Sequence, residues 1–218
     1  KSGTIVTSID DVVFSNNKIN STTADSNGGA IYNNAEIGNI EGFFDSNFAE
    51  TSYKSWSYAN GGAIANNKGN ISDITGDFVN NHTQSANGFS QGGGIYNNGT
   101  IGNITGNFNN NYAKSVYNSA NGGTLYNNTE GGAIFNNGGI IRNIEGDFDG
   151  NYSESSDMFS YGGAIDNYGI ITSITGNFND KLMDIAARSL KVKRDVITKL
   201  LEEVANSLQN TDATNMSS

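Results

Sequence analysis

The sequence predicts an all-β fold: a parallel β-helix of about five to six coils, followed by one amphipathic α-helix. Three observations support this prediction. A unit that contains the motif Gly-Gly-Ala-Ile recurs along the chain, constant positions alternate with variable ones inside each unit, and the repetition stops near Asp180. A composition of 28 glycines, no proline and no cysteine also fits a repetitive core better than an ordinary mixed one.

Five copies of the unit align with one another, and they begin at Gly28, Gly61, Gly93, Gly131 and Gly162. A sixth, partial copy opens the chain, and there we expect only the end of the unit, around Phe14 and Asn17. A second Gly-Gly strand at residues 122–128 begins nine residues before Gly131. Two copies of the first strand therefore compete for one coil, and the sequence leaves both alternatives open.

Constant positions inside the unit form columns that we expect to point into the coil, because equivalent residues imply equivalent environments. These columns are the isoleucines Ile31, Ile64, Ile95, Ile134 and Ile165, the asparagines Asn33, Asn66, Asn97, Asn136 and Asn167, and the phenylalanines Phe44, Phe78, Phe108, Phe148 and Phe178. The variable position between isoleucine and asparagine is expected to point outward; it reads Tyr32, Ala65, Tyr96, Phe135 and Asp166. This alternation has a period of two, which is typical of β-strands.

The unit divides into three short predicted strands, separated by Gly and Asn corners that accept left-handed backbone angles. One variable loop per turn completes a coil of about 30 residues. Stacked coils bring equivalent strands to about 4.8 Å from one another, so that Ile packs on Ile and Phe on Phe. Stacked asparagines are expected to hydrogen-bond up and down the rod, as in cross-β ladders, which gives these columns a structural role.

The paired GGAI and FxxN motifs resemble the repeats of polymorphic outer-membrane proteins and related autotransporter passengers; the FxxN motifs include FDSN at Phe44, FVNN at Phe78 and FDGN at Phe148. The resemblance covers residues 10–180. It implies a right-handed β-helix that is secreted or displayed on a bacterial surface, commonly as an adhesin, and exported through an outer-membrane barrel. The chain departs from that pattern because no segment after residue 180 alternates like membrane strands. A passenger fragment and a secreted protein without a barrel both fit the sequence.

The change in composition near Asp180 predicts three segments: a β-helix over 1–180, an amphipathic helix over 181–209 and a disordered tail over 210–218. Apolar residues from Leu182 to Leu208 are spaced by threes, fours and sevens, and Asp180 is suited to cap the helix N-terminus. We expect the helix to pack against the rod or to self-associate; the linker of an autotransporter barrel is the alternative.

Charge and composition exclude several classes of function. The repeat region carries 17 acidic and six basic residues, and this balance repels phosphate backbones, so nucleic acid is not an expected partner. The absence of cysteine and the single histidine, His82, leave nothing for a zinc site or a Ser-His-Asp triad. No metal or cofactor is therefore expected, and His82 is interpreted as a surface residue.

Catalysis is not expected, although many β-helices cleave polysaccharides. Such enzymes need a basic residue or paired carboxylates that converge on one groove. Glu145, Asp147 and Asp149 alternate on one predicted outward face, but no pair stands out from the repeat, and exposed acids also keep such a stack soluble. A polysaccharide lyase or hydrolase that uses Asp147 and Asp149 is one alternative, and a structural spacer or self-assembling fibre subunit is the other.

The strongest functional signal lies in the four segments that leave the third predicted strand, because they combine aromatic residues with Ser and Asn. The aromatic residues are Tyr53, Trp56, Tyr58, Phe89, Tyr117, Phe159 and Tyr161. Such mixtures give large contact areas with adaptable hydrogen bonds, as in antibody loops. We therefore expect an extracellular or bacterial cell-surface protein that binds a glycan, or a host or neighbouring-cell protein, through this loop face. The alternative is that these aromatic residues pack back onto the rod to order their own loops.

Overall fold

The structure, a computed structural model, describes residues 5–53, 56–116, 129–156 and 159–179 of the 218-residue chain. All 25 strands within these ranges pair in parallel and stack into a β-solenoid of about five turns, and the described residues contain no α-helix. The predicted parallel β-helix is therefore confirmed. The predicted helix over 181–209 and the predicted tail over 210–218 lie outside the described residues.

The largest sheet, sheet A, has ten strands in the described ranges and forms two arms of the coil. Two long strands run through both arms: β1 (Ile5–Ser15) and β5 (Glu36–Asp45). The first arm continues with β9 (Asn70–Thr75), β14 (Thr100–Thr105), β19 (Ile140–Glu145) and β24 (Ile170–Thr175). The second arm continues with β10 (Phe78–Val79), β15 (Phe108–Asn109), β20 (Phe148–Asp149) and β25 (Phe178–Asn179).

Three five-stranded sheets complete the described part of each coil. Sheet B contains β2 (Lys18–Ser21), β6 (Phe48–Thr51), β11 (His82–Ser85), β16 (Tyr112–Ser115) and β21 (Tyr152–Ser155). Sheet C contains β3 (Ser26–Asn27), β7 (Ser57–Asn60), β12 (Gly88–Gln91), β17 (Thr129–Glu130) and β22 (Ser160–Tyr161). Sheet D contains β4 (Ile31–Asn33), β8 (Ile64–Asn66), β13 (Ile95–Asn97), β18 (Ile134–Asn136) and β23 (Ile165–Asn167). The chain visits the sheets in the order A, B, C, D, and coils 1 to 5 begin with β1, β5, β9, β14 and β19.

The isoleucine and phenylalanine columns of sheets A and D form the apolar core. Ile64 pairs in register with Ile31 and Ile95. From Phe14 to Phe178 the phenylalanine rings stack with centroids 4.5–4.9 Å apart and interplanar angles of at most 6°. The side chains of these columns are buried in the middle coils, which confirms the inward orientation predicted for the constant positions.

Two asparagine columns form hydrogen-bond ladders through the rod, as the sequence predicts. In sheet D, the Nδ2 of Asn66 donates to the Oδ1 of Asn97 over 2.8 Å, and the same bond recurs along the whole predicted column. In the ladder that precedes sheet B, the Nδ2 of Asn81 donates to the Oδ1 of Asn111 (3.0 Å) and to the Phe44 carbonyl (2.9 Å). The buried amides of the middle coils are thus satisfied by the coils next to them.

The coil contains more strands than the three that the sequence predicts. Coils 3 to 5 each have five, because sheet A divides into two arms and because the predicted variable loop forms strands of sheets B and C. In that loop the inward positions hold small residues such as Ala59, Thr83 and Ser90, which are fully buried. Their small size hides the period of two from a pattern based on large apolar residues.

The N-terminal partial copy is longer than predicted. Strand β1 pairs with β5 from Glu36 onward, so it reproduces both arms of sheet A rather than only the end of the unit. Between Ile9 and Val12 the register shifts by one residue, and Asp11 takes a φ of 53° there. This extra residue is a β-bulge, and it hides the first arm from a self-alignment without gaps.

The competition between the two Gly-Gly segments is resolved in favour of the second one. Ile134 pairs with Ile95 on one side and with Ile165 on the other, and the backbone amide of Gly131 donates to the carbonyl of Tyr161. The first segment, residues 122–128, lies outside the described residues. The chain between sheets B and C is therefore longer in coil 4 than in the other coils.

Candidate functional site

Sheets B and C pack face to face and form a two-layer part of the coil, which we call the fin. The buried residues between its layers are small; they include Ala49, Ala59, Thr83, Ser90 and Ala113. Hydroxyl groups cross between the layers: Ser26 Oγ donates to the Glu50 carbonyl over 2.6 Å, and Ser115 Oγ to the Gly88 carbonyl over 2.8 Å. Because the interior is filled by small side chains, the aromatic and charged side chains of the fin lie on its outside.

Two residues predicted to bind a ligand lie on the outer face of sheet C, Tyr58 and Phe89, and Trp56 directly precedes strand β7; together these three form what we call the aromatic patch. Tyr58 and Phe89 pair across neighbouring strands, and their rings stack with centroids 5.1 Å apart and 13° between the planes. Trp56 is 44 % exposed and lies 5.5 Å from Phe89 with a tilt of 57°. The patch is therefore packed against the fin and open to solvent at the same time.

The other predicted residues lie elsewhere in the coil. Phe159 and Tyr161 are exposed in coil 5, with ring centroids 6.0 Å apart. Tyr53 is half-buried at the corner between sheets B and C, where its carbonyl accepts a hydrogen bond of 3.0 Å from Asn87 Nδ2. Tyr117 lies outside the described residues. Three of the six described residues, Tyr58, Phe89 and Tyr161, thus lie on strands of sheet C, and the other three lie in the segments before these strands.

A second aromatic column runs along the outer face of sheet B. It consists of Phe48, His82, Tyr112 and Tyr152, which stack with centroids 4.6–5.0 Å apart and angles of at most 10°. The Lys18 ammonium lies 4.4 Å from the centroid of the Phe48 ring. His82 is thus a half-buried residue on the outer face of sheet B, which agrees with its interpretation as a surface residue, and its ring lies between those of Phe48 and Tyr112. Burial between its neighbours lowers the pKa of His82 below the ordinary 6.5, although the Glu50 carboxylate acts in the opposite direction.

The corner between sheets B and C is where the coil changes length. Two residues separate Ser85 from Gly88, whereas 13 separate Ser115 from Thr129. Three residues separate the strands of sheets C and D in every described coil. Insertions at the outer edge of the fin leave the stacked columns in register, so this edge accepts variation that the rest of the coil does not.

Sequence reasoning missed a second site at the corner between sheets C and D, which we call the corner cluster. The middle residues of the D strands point out of the coil, yet Ala65, Tyr96 and Phe135 are only 0–7 % exposed and form a small apolar cluster of their own. They are buried because the corner turns this column towards the last residues of the C strands. The column therefore points outward, as expected, but its side chains are buried in coils 2 to 4. In coils 3 to 5 the corner cluster consists of Gln91, Tyr96, Glu130, Phe135, Tyr161, Asp166 and Tyr168.

Two carboxyl groups give the corner cluster its chemical character. Glu130 is 8 % exposed and accepts a hydrogen bond from Gln91 Nε2. Asp166 pairs in register with Phe135, and its Oδ2 is buried without a hydrogen-bond partner. No lysine or arginine in the described part of the chain forms an ion pair with either carboxylate.

Burial raises the pKa of both carboxyl groups. For Glu130 the loss of solvation is the largest cause, the hydrogen bond from Gln91 opposes it, and the charge of Asp166 adds to it. For Asp166 burial again raises the pKa. The charge of Asp166 in turn raises the pKa of Tyr168, which lies on the exposed side of the cluster. The fold therefore places two carboxyl groups near each other, and their burial disfavours the negatively charged form of both.

The outward carboxylates of sheet A, on which the polysaccharide-cleaving alternative rests, lie on another part of the coil. The Oδ1 of Asp147 accepts hydrogen bonds from the backbone (2.8 Å) and side-chain (3.0 Å) amides of Asn177, so this residue belongs to an outer ladder of the stack. Asp149 is exposed on β20. Closer to the N-terminus, Glu41 and Asp77 line an open groove of about 460 Å³.

Within the described residues, no group of three or more His, Asp or Glu side chains is arranged to hold a metal ion. The same part of the chain contains no helix that is long and apolar enough to cross a membrane. Comparisons with protein-family models, with curated proteins and with solved structures gave no match for this chain.

Proposed function

We propose that this protein is a non-catalytic binding protein that recognises a glycan through the outer face of the fin. The observation that carries the proposal is the aromatic patch, in which the exposed Trp56 is supported by Phe89 on a paired strand. Aromatic side chains offer a large contact area and lose little conformational entropy when they bind. A rigid parallel sheet reduces that loss further, because the backbone is already ordered.

The orientation of the rings distinguishes Trp56 from the other aromatic residues of the fin. In the column on sheet B, each ring face is covered by the next ring, so the column presents ring edges to solvent. Trp56 is 44 % exposed, and its ring is tilted by 57° from that of Phe89 instead of lying flat on it. Contact with the apolar face of a sugar requires a ring face, which makes Trp56 the first residue to test.

The repeat of the fin also favours a polymeric ligand. Equivalent outer positions recur once per coil, about 4.8 Å apart along the axis. On sheet B they alternate between the ring column and a polar column that contains Glu50, Gln84, Lys114 and Glu154. A glycan chain that lies along sheet B therefore meets ring edges and hydrogen-bonding groups at every coil, while the aromatic patch offers its contact on sheet C.

We also propose that the protein acts outside the cell, on a bacterial surface or after secretion. The support for this proposal is the resemblance of the GGAI and FxxN repeats to autotransporter passengers. Protease treatment of intact producing cells tests it: the protein should be cleaved while cytoplasmic markers survive. Full protection of the protein would contradict surface display, and absence from the culture medium would then contradict secretion.

Glycan arrays and host-cell binding test the ligand proposal, with wild type compared with Trp56→Ala and Phe43→Ala. Phe43 is the matched control, because it is an aromatic residue on sheet A whose exposure, 41 %, is close to the 44 % of Trp56. We expect Trp56→Ala to lose about ten-fold or more in affinity and Phe43→Ala to bind like wild type. Absence of wild-type binding on arrays and cells, or equal losses in both variants, would contradict the proposal. Cell binding that survives enzymatic removal of surface glycans would overturn the glycan assignment.

The absence of catalysis is tested separately, with a panel of acidic and neutral polysaccharides. We expect no release of reducing ends by wild type. Release by wild type that Asp147→Asn or Asp149→Asn abolishes would establish the polysaccharide-cleaving alternative and contradict the proposal.

A further inference from the structure

We infer that the corner cluster is a binding site for an organic ammonium group, held between the aromatic rings of sheet D and the carboxylates of Glu130 and Asp166. The cluster begins at the last residues of the C strands and continues onto sheet D, whereas the aromatic patch lies nearer the start of the C strands. The inference does not depend on the proposed glycan binding. Three features carry it: the shape of the ring row, the uncompensated acids and the unpaired buried oxygen atoms.

The rings of the corner cluster form a bent row. Tyr96 and Phe135 lie 5.9 Å apart with 49° between their planes, and Phe135 and Tyr168 lie 5.8 Å apart at 80°. The core phenylalanines, in contrast, stack within 6° of parallel. Tyr96 and Phe135 are buried, so the ring of this row that a ligand can reach is the exposed Tyr168, and the electron-rich face of an aromatic ring attracts a cation.

The acids of the cluster lack a compensating positive charge. Glu130 is almost fully buried and Asp166 is half-buried, and a buried carboxylate is stable only when it is paired or hydrogen-bonded. In the described part of the chain, the two ion pairs are Lys18 with Glu50 and Lys114 with Glu154, on sheet B. A positively charged ligand would supply the ion-pair partner that Glu130 and Asp166 lack among the described residues.

Two buried oxygen atoms along the corner between sheets C and D, three coils apart, have no hydrogen-bond donor. One is Asp166 Oδ2, and the other is the Oδ1 of Asn60, a residue that is 8 % exposed. Asn60 uses its Nδ2 to donate to Asn27 Oδ1 (2.8 Å) in the coil on one side. Its Oδ1 therefore faces the opposite side, where Gln91 and then Glu130 follow in the same column. Other buried polar atoms without a partner lie in the fin; Asp166 Oδ2 differs from them because it belongs to a carboxyl group, for which a charged N–H donor is the strongest partner.

The chemistry of the site selects an amine over a metal ion. A hard cation such as Ca²⁺ takes 6–8 oxygen ligands, and aromatic walls offer none. An alkylammonium combines a positive charge for the two carboxylates, an apolar surface for the rings and, when it is not fully methylated, an N–H donor for the free oxygen of Asp166. Suitable ligands are therefore an amino sugar, a choline-type group or a lysine side chain of a peptide.

Within the described ranges, the cluster is most exposed on the side of coil 5. Tyr168 and Tyr161 are exposed there, whereas Tyr96 and Phe135 are buried deeper in the corner. A ligand that enters from this side places its ammonium group near Asp166 first, and the rest of the molecule extends into solvent.

Calorimetric titration of the full chain at neutral pH tests the inference, with choline and its uncharged isostere 3,3-dimethylbutan-1-ol as probes. We expect choline to bind with a Kd on the order of 1 mM, and the isostere to bind about ten-fold more weakly or not at all. Glu130→Gln and Asp166→Asn should each weaken choline binding. Glu145→Gln is the matched control, because Glu145 is an exposed acid on sheet A of coil 5. Its affinity for choline should equal that of wild type.

Two further pairs of probes distinguish the sources of the ammonium group: glucosamine against glucose, and an Nα-acetyl-lysine amide against the same compound acetylated at Nζ. The amine that binds most tightly, relative to its neutral counterpart, identifies the source. Asp166→Asn carries the test if Glu130→Gln does not fold, because Asp166 is only half-buried. Equal binding of charged and neutral probes, or affinity that neither variant changes, would overturn the inference. Trp56→Ala should bind choline as wild type does, which separates this result from any failure of the glycan proposal.

Discussion

Asn81 and Asn111 lie one coil apart and are joined by a side-chain hydrogen bond of 3.0 Å, and both are fully buried. The Oδ1 of Asn81 also accepts bonds from the backbone amide (3.0 Å) and the Nδ2 (2.9 Å) of Asn47. One side chain thus satisfies polar groups in both neighbouring coils. A slip of one coil by one residue would leave these amides unpaired, so the ladder fixes the register of the stack.

Replacement of Asn81 should therefore destabilise the fold strongly. Asn81→Leu removes the acceptor of the Asn47 backbone amide, one of the two acceptors of Asn47 Nδ2 and the side-chain donor to the Phe44 carbonyl, and we expect the free energy of unfolding in urea to fall by about 3 kcal/mol or more. Asn143→Leu is the control, because the Asn143 bond to Asn103 lies on the exposed side of sheet A. Its effect should stay within about 0.5 kcal/mol. Equal losses in the two variants would show that burial of the ladder is not what matters.

The corner glycines give a second prediction, on backbone geometry. Gly61 has a φ of +61°, and an added Cβ would lie within 2.0 Å of the Ile64 carbonyl oxygen, whereas Gly138, at φ +73°, has open space around it. Gly61→Ala should prevent folding or lower the melting temperature far more than Gly138→Ala. In Gly138→Ala the cost is only that of a left-handed backbone in a residue with a Cβ, about 1–2 kcal/mol.

Lys68 has a φ of 64°, so Lys68→Gly should raise the melting temperature. A lower melting temperature for Lys68→Gly would contradict the left-handed backbone conformation of Lys68 between β8 and β9.

The position of His82 predicts a loss of stability in mild acid. Its pKa in the folded protein lies below the ordinary 6.5, so the neutral ring is favoured, and this contribution to stability is lost as the pH falls below that value. The groups that face the ring are Phe48, Tyr112, Glu50 and Lys18. His82→Tyr should reduce the decrease in melting temperature between about pH 7 and pH 5. An unchanged decrease would show that His82 is not the group that titrates.

Glu130 predicts the opposite dependence on pH. Because its pKa in the folded protein is raised above the ordinary 4.5, its contribution is most favourable at low pH and is lost as the pH rises through the folded value. The groups that face it are Gln91, Asp166 and Tyr96. Glu130→Gln should therefore unfold at a higher temperature than wild type near pH 7, and the difference should disappear below about pH 4. A difference that does not change with pH would contradict the raised pKa.

The sequence predicts the inward half of the coil well, for a physical reason. Ile64, Asn66 and Phe78 repeat because each meets its own copy one coil away, and such repetition is visible in a single chain. The strands of the fin are harder to predict, because their inward residues are small and their outward residues differ from coil to coil. Ala59 and Ser90 fill equivalent buried positions without forming a recognisable hydrophobic pattern.

The corner cluster could not be predicted from the rule that variable positions point to solvent. Tyr96 and Phe135 do point out of the coil, but the corner between sheets C and D buries them against the next strand. One signal was present in the sequence: Ala65, Tyr96 and Phe135 make a column too apolar for an exposed row. The acids Glu130 and Asp166 interrupt an otherwise uncharged pair of columns, and only the three-dimensional arrangement brings them together.

The central claim is that the inward columns hold the coil together and that the aromatic patch on the fin binds a glycan. The most direct measurement is the affinity of Trp56→Ala for the glycan that wild type binds best on the array, taken together with its melting temperature. We predict an affinity loss of about ten-fold or more with a melting temperature within about 2 °C of wild type. Wild-type affinity in a folded Trp56→Ala variant would contradict the claim.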